Sequence, residues 1–582
     1  MKHKLINSNI RKDYISTLLK ERGIEDIERF LHPTISDVED PFLLDNMEKG
    51  LELFVSIMEK DEGKICLIVD CDCDGYCSSA IMYQFVKEIN PKIEIEYLIH
   101  EGKAHGFEEH IDYLLDKEYD LIICPDAGSN DKKYTDQLKC PILILDHHIL
   151  ETEIGDNVVV INNQASPNYT NKDLCGGGVV WQFVRAYDKK YGTYYSIHYT
   201  DLAALSIIGD MMGLNVTENQ AIIKLGMTEI YNKFFRELLI KQKYSITGNQ
   251  FAPFEEILEK ATPEKLAWYI VPLINGMVRA GAYQEKERMF IAFIDGDRLI
   301  PCHKRGAKGT MEKAAVESAR ECGNAKNHQD KEKIKIIEQL EVKIFNHNLL
   351  DNKILFVRLD DDDVFPSELN GLVAMGLASK YKRPAIVARL NKEGYVRGSA
   401  RGLNESELDS FKEFLNSTNL FEYTAGHDNA FGISIPSSNL TKLHEFANDK
   451  LKDLDFSVDS YDVNFERHAF DADLCDLIVD IAKYNHIYGQ KNPTPLIYVD
   501  SINLKQGEWR VMGTNKDTVA WEKNGVKYIQ WRASALIEEL NKYPEVQLEI
   551  VGEADMNEWP KGNFTPQIRV KNYEVKNGTL AF

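Results

Sequence analysis

The sequence predicts an α/β protein: a parallel-sheet domain and a smaller second α/β unit joined by a long helix, with a strand-rich C-terminal domain. Three observations predict it. Short β-branched apolar runs alternate with helical stretches from about residue 61 to 200, as buried parallel strands do between their crossover helices. A charged segment from about 310 to 346 reads as a long connecting helix, and new apolar runs begin near Lys353. Beyond about 460, the segments LIYVDSINL, EWRVMGT, VKYIQWRAS and VQLEIVGEA alternate apolar and polar residues.

Taken in order, residues 1–60 read as short helices interrupted at Pro33 and Pro41. Within 61–283, strands are expected at Lys64 to Asp70, Ile93 to Ile99, Leu121 to Cys124, Pro141 to Leu145 and Val158 to Ile161. Helices are expected at Ser78 to Ile89 and Glu108 to Leu115, and the pattern stays helical from about 200 to 280. Residues 284–350 connect, 351–455 form the second unit with runs Ile354 to Val357 and Pro384 to Ala388, and 460–582 form the terminal domain.

The 582 residues suffice for three or four domains of about 150 residues each. The opening MKHKLINSNIRKDYISTLLKERG is charged throughout, so neither a signal peptide nor a membrane anchor is expected, and the location is cytoplasmic. Cysteines such as Cys66, Cys124 and Cys140 sit in apolar runs and are expected as reduced thiols. The net charge of −23 excludes a broad basic footprint and speaks against a passive nucleic-acid coat. A narrow, metal-dependent contact with nucleic acid remains compatible with it, because bound cations change the local sign.

Three strand candidates run into metal-type ligands: Asp70-Cys-Asp72-Cys-Asp74-Gly75, Pro125-Asp126-Ala-Gly128 and Asp146-His147-His148. Ligands of open α/β sheets bind beyond the carboxyl ends of the strands, so these groups converge on one crevice. Asp210 ends a further apolar run. An isolated Asp-x-Asp-x-Asp is usually a solvated turn, but four acidic sites in order, three of them closing strands, form a metal-binding set. Carboxylates and imidazoles suit Mn²⁺ or Mg²⁺, and two such ions activate water and stabilise a leaving oxygen in phosphoryl transfer. The interleaved Cys71, Cys73 and Cys77 raise a rival thiolate zinc site. Strand alternation turns Cys71 and Cys73 toward the core if the aspartates face the crevice.

These four motifs resemble motifs I to IV of the DHH phosphoesterases. The resemblance implies that Asp72, Asp74, Asp126, His147 and Asp210 hold two divalent ions, Mn²⁺ in preference to Mg²⁺, with Asp126 bridging. It also implies that His148 meets the scissile phosphate or leaving group and that Asp146 orients its histidine neighbour, with Asp70 a ligand or an outer partner. Leu19 to Ile24, Phe30 to Pro33, Asp40 to Leu44, Leu174 to Val179, Glu218-Asn219-Gln220 and Pro272 to Arg279 extend the likeness to the RecJ-like single-strand-specific exonucleases. In that family the segment 61–283 is the DHH catalytic domain. Asn275 and Arg279 fall at substrate-binding positions, and the glycine turn Gly176-Gly177-Gly178 is able to present amides to a phosphate or to permit close helix–sheet packing.

The second unit resembles the DHHA1 domain through Arg397-Gly-Ser399-Ala-Arg401 and Ala425-Gly426-His427, which places Ser399, Arg401, Gly426 and His427 among the substrate-binding residues. The terminal module resembles an OB-like domain, with Trp509, Trp521, Tyr528 and Trp531 as candidate base stackers or core residues. Cys77-Ser78, Ala425-Gly426, Asp-Ala-Gly at motif II and Gly-Asp-Met-Met at motif IV depart from the family pattern and mark a divergent member.

The implied activity is 5′→3′ hydrolysis of single-stranded DNA to 5′-mononucleotides, the strand threading between the two α/β units, in repair, recombination or replication. Expected partners are single-stranded DNA and a single-strand-binding protein or helicase, with no membrane. Two alternatives stand beside it: an oligoribonuclease or cyclic-dinucleotide phosphodiesterase with the same metals, and a catalytically silent scaffold for DNA or the replisome.

Overall fold

The computed structural model describes residues 1–7, 10–102, 104–307, 309–360, 363, 365–558 and 562–579. The chain divides into two compact units. One comprises Ile24–Gln329 with His486–Pro493; the other comprises Met1–Gly23, Asp330–Asn485 and Thr494–Phe582.

The first unit is built on five parallel strands: β1 (Lys64–Val69), β2 (Glu94–Ile99), β3 (Leu121–Pro125), β4 (Ile142–Asp146) and β5 (Val158–Asn162), in the order β2-β1-β3-β4-β5. Every residue of β3, β4 and β5 is buried. Their Ile, Val and Leu side chains therefore point into two cores, one on each face, and this is why the runs read as continuously apolar. On one face lie α1 (Cys73–Ile89), α2 (Gly176–Tyr191) and α3 (Thr200–Gly209), the last almost wholly enclosed. The helix expected from Glu108 begins only at Ile111, because Glu109 is committed backwards, accepting from the Glu101 amide at 2.7 Å and lying 3.2 Å from His100 Nδ1. Glu218 is buried and structural: it accepts from Tyr169, Asn171, Gln182 and the Glu39 amide, tying the residues before β1 to the helical layer.

The long helix α4 (Ala314–Asn346) has 33 residues, about 50 Å at 1.5 Å each. Its last turns bury Ile336, Leu340 and Ile344 in the second unit against α5 (Asn370–Tyr381) and the sheet. That sheet orders β6 (Leu355–Leu359), β7 (Ala385–Leu390), β8 (Tyr395–Arg401), β9 (Tyr423–His427) and β10 (Ala430–Pro436) as β9-β10-β8-β7-β6, with only β6 and β7 parallel. The C-terminal OB-like β domain is a mixed seven-stranded sheet that includes the long antiparallel pair Glu545–Glu558 and Phe564–Thr579. In it Trp521 and Tyr528 are core residues, stacked with centroids 5.4 Å apart, which removes them as base stackers; Trp531 is 53% exposed.

One N-terminal expectation is corrected. Lys2–Leu5 is a strand, not part of a helix, and pairs in parallel with Ser460–Val463. A four-residue strand whose partner lies more than 450 positions away leaves no local signal in the sequence.

Candidate metal centre

The order β2-β1-β3-β4-β5 reverses between β1 and β3, so the loops leaving those strands part and open a crevice at the carboxyl edge of the sheet. Asp70 follows β1, Asp126 follows β3, and Asp146 closes β4. The topology alone thus places the sequence-predicted acids around one switch point.

Strand geometry stops at Val69, which corrects the expected alternation of the cysteines. Asp72 is the N-cap of α1, accepting from the Gly75 amide at 2.9 Å, and Asp74 lies in the first helical turn. Cys73 and Cys77 are buried in the core, whereas Cys71 is only partly buried and lies 3.8 Å from His105. The helix starts here for a physical reason: its free amides and positive end face carboxylates. Gly75 is required because a Cβ there would lie 2.6 Å from the Asp70 carbonyl carbon.

Asp74 is fixed from the opposite side. Its oxygens accept from the Gly176 amide (2.8 Å), the Gly177 amide (2.7 Å) and the Ser206 hydroxyl. The glycine turn therefore presents its amides to a carboxylate of the site rather than to a phosphate. Close approach is also why these residues are glycine: a Cβ on Gly176 would lie 2.7 Å from Asp126 Cα, and one on Gly177 would lie 2.7 Å from Ser206 Cβ.

Asp126 adopts a left-handed backbone (φ 67°), a conformation costly for a residue with a Cβ and one found where a site demands it. His147 Nε2 stands 3.3 Å from Asp126 Oδ1, 3.4 Å from Asp210 Oδ2 and 4.0 Å from Asp74 Oδ2. Asp126 Oδ1 and Asp210 Oδ2 are buried and receive no hydrogen bond among the described residues. Burial lowers the His147 pKa, leaving a neutral imidazole with a lone pair to offer. Burial and the neighbouring charges of Asp74 and Asp72 raise Asp126 well above the ordinary carboxylate range and push Asp210 up to about 8. Burial, then Asp74 and Asp70, push Asp72 up to about 6.

Orphaned buried oxygens, crowded like charges and a neutral imidazole are the donor set of a hard divalent cation. Ligand atoms of Asp74, His147 and Asp210 lie within 4.8 Å of one another, as do those of Asp70, Asp72 and Asp126. The triad His303, Glu317 and Glu321 also clusters, but Arg320 and Arg288 already neutralise its two acids.

Two aspartate–histidine dyads flank this centre. Asp146 accepts from His148 Nδ1 (2.8 Å), from both histidine amides and from the Ser129 amide. Burial alone would raise Asp146, but these bonds and the histidine charges hold it well below the usual carboxylate range. The bond to Asp146 pushes His148 up to about 9. Asp70 likewise accepts from His105 Nδ1 at 2.7 Å and from the Gly106 amide at 3.3 Å, and the bond to Asp70 pushes His105 up to about 11. His105 is absent from the sequence-predicted set. It lies six residues past Ile99, behind His100 and Glu101 at the end of β2, so the strand-end rule alone does not single it out.

Asn275 accepts from the Cys73 amide at 3.0 Å and so steadies the start of α1. Arg279 is exposed and has no ion-pair partner among the described residues. In the second unit, sheet register puts Arg401 and His427 on either side of Ala430 in one row, with Ser399 in the next row on the same face. Gly371, in the first turn of α5, lies against them: a Cβ there would be 3.2 Å from Arg401 Cζ and 3.7 Å from Ser399 Oγ. Gly426 takes φ 131°, allowing the tight return into β10, and both it and His427 are exposed.

Residues 64–207 match the model of the DHH family, N-terminal domain. The chain is 31% identical, over 99% of its length and 98% of the other, to YorK, a candidate SPbeta prophage-derived single-strand DNA-specific exonuclease of Bacillus subtilis (strain 168). It is 22% identical to the single-stranded-DNA-specific exonuclease RecJ of Haemophilus influenzae, over 88% of this chain and 87% of that protein. The solved structure of RecJ from Thermus thermophilus in complex with Mn²⁺ shares the fold, with a TM-score of 0.70 at 17% identity over all of this chain and 80% of that one. The Mg²⁺ complex superposes with a TM-score of 0.64, over all of this chain and 79% of that one, at 16% identity.

Proposed function

This chain belongs to the DHH family, in its RecJ-like branch, and from that premise we propose that it is a divalent-metal-dependent exonuclease that degrades single-stranded DNA from the 5′ end to 5′-mononucleotides. The observation that carries the reading is the convergence of Asp74, Asp126, His147 and Asp210 at the switch point, where the buried oxygens of Asp126 and Asp210 lack a donor among the described residues. In this reading Asp72, Asp74, Asp126, His147 and Asp210 would hold two divalent ions, with Mn²⁺ preferred to Mg²⁺. Two such ions supply an activated water and neutralise charge on the phosphoryl group.

The protein's own residues do the rest. The Gly176 and Gly177 amides and Ser206 fix Asp74, so that the ligand frame is set before substrate arrives. His148, its Nδ1 tied to Asp146, presents Nε2–H to the leaving oxygen and is the proton donor. Arg279, Ser399, Arg401 and His427 bind backbone phosphates, and the exposed Trp531 stacks a base.

A long single-stranded DNA, labelled at one end or the other, tests the function. With Mn²⁺, a labelled mononucleotide is released early from the 5′-labelled strand and late from the 3′-labelled one, and chelation by EDTA stops both. Activity confined to substrates of two to five nucleotides would replace this reading with a short-oligonucleotide phosphodiesterase. Inert DNA of every length would replace it with a scaffold.

The proton-donor role has its own check. A donor held at about 9 stays protonated through neutral pH, and without Asp146 it returns toward 6.5. Asp146→Asn is expected to move the alkaline limb of the kcat/KM profile down by about two pH units. An unmoved limb would exclude His148 as the donor.

A further inference from the structure

The site holds two dyads of one construction. In each, a buried carboxylate at the carboxyl end of the sheet accepts from Nδ1 of a histidine whose ring reaches the surface: Asp146 with His148 (2.8 Å, imidazole 53% exposed) and Asp70 with His105 (2.7 Å, 61% exposed). Both oxygens of Asp70 accept from protein donors, Oδ2 from His105 and Oδ1 from the Gly106 amide, so Asp70 stands to His105 as Asp146 stands to His148. The dyads differ in place. Asp70 follows β1 and Asp146 ends β4, and β3, which carries Asp126, lies between those strands. Two strand spacings put the carboxylates roughly 10 Å apart, one on each side of the shared ligand. With Nδ1 held inward, His105 turns Nε2 away from Asp70, while the Cys71 thiol packs beside the ring at 3.8 Å from Nδ1 and 3.9 Å from Nε2.

We propose that His105 is a second phosphate-binding residue, whose Nε2–H holds the internucleotide phosphate next to the one being cut. The inference rests on the nuclease reading above and deepens it. The centre then recognises a strand bearing at least two consecutive phosphates, one governed by His148 and the next by His105. It also gives Asp70 a purpose: a positioning residue that takes the Nδ1–H of the doubly protonated ring and so aims its Nε2–H at the substrate.

The test is a cycle between protein and substrate. Wild type and His105→Asn are compared on oligo(dT) with ordinary linkages and on the same strand with one uncharged methylphosphonate at the second linkage from the 5′ end. Asparagine is chosen because its amide reaches the position of Nδ1 and keeps the bond to Asp70, while nothing replaces Nε2. Loss of a charged hydrogen bond to phosphate is expected to lower kcat/KM roughly tenfold to hundredfold for either single change. The two changes together are expected to do little more than one alone. His105→Gln, which places its amide near the position of Nε2, is expected to recover part of the discrimination against the methylphosphonate strand. Additive losses, no loss, or identical behaviour of the Asn and Gln variants would overturn the proposal while leaving the nuclease reading intact. A wild-type protein inert on the unmodified strand would overturn both.

Discussion

Replacing Asp126 by asparagine is expected to abolish nuclease activity while making the metal-free protein more stable. Loss of the shared ligand removes several kcal/mol of charge stabilisation, about a thousandfold or more in rate. The gain in stability follows from the same site. Asp126 is buried beside Asp74, Asp72 and Asp70, its Oδ1 accepts no hydrogen bond among the described residues, and its pKa is raised by burial first and those charges second. An acid whose folded pKa exceeds its unfolded one binds more protons when folded, so stability falls as pH rises between the two values. For Asp210 that interval runs from the ordinary 3.8 to about 8, and for Asp72 from 3.8 to about 6. Thermal unfolding of metal-free wild type should therefore show a midpoint that declines from about pH 4 to pH 8. Saturating Mn²⁺ should cancel the decline, because a ligand that binds only the folded state raises the midpoint by mass action. Asp126→Asn should flatten the metal-free decline, raise the neutral-pH midpoint by a few degrees, on the order of 1–2 kcal/mol, and lose most of the Mn²⁺ response. An unchanged Mn²⁺ response would show that Asp126 is not a ligand.

Gly176→Ala is expected to damage the centre severely without replacing a ligand. The added methyl would stand 2.7 Å from Asp126 Cα and 2.6 Å from its Cβ, contacts that no rotamer change relieves. Either Asp126 leaves its left-handed conformation or the start of α2 withdraws, and withdrawal takes the Gly176 amide away from Asp74. Overpacking of this kind costs about 1–3 kcal/mol of stability, and a ligand displaced by an ångström costs about a hundredfold in rate. The measurements are kcat on single-stranded DNA and Mn²⁺ affinity from the shift of the thermal midpoint. Full activity in Gly176→Ala would mean that the ligand frame tolerates a displacement that the close contacts forbid.

What was legible in the sequence follows from how local each signal is. An apolar run and the acid that closes it are neighbours in the chain, so Asp70, Asp126 and Asp146 were readable, and the parallel order then carried them to one edge. Asp210 was readable for the same reason, closing α3 after a largely apolar helix. The purpose of Gly176 and Gly177 was not, because a glycine turn before a helix serves phosphate binding and close packing equally well, and only the contact with Asp74 separates the two. His105 was not legible because it lies six residues past the end of β2, behind the nearer His100 and Glu101. Trp521 and Tyr528 were indistinguishable from exposed stackers, since strand alternation names two faces without saying which is covered. The N-terminal strand was invisible because its partner is far away in the chain.

That last pairing has a consequence for biosynthesis. Both units are discontinuous: residues 1–23 belong with a unit whose remainder starts at Asp330, and His486–Pro493 returns to the unit that starts at Ile24. During vectorial translation the parallel sheet and its helices emerge first and can collapse as a body. Lys2–Leu5 then waits, unpaired and backbone-exposed, until Ser460–Val463 has left the ribosome. At about 5–20 residues per second that interval is tens of seconds. The charged and polar character of Lys2, His3 and Lys4 suits such a wait, since basic residues on an open strand discourage pairing with the wrong neighbour.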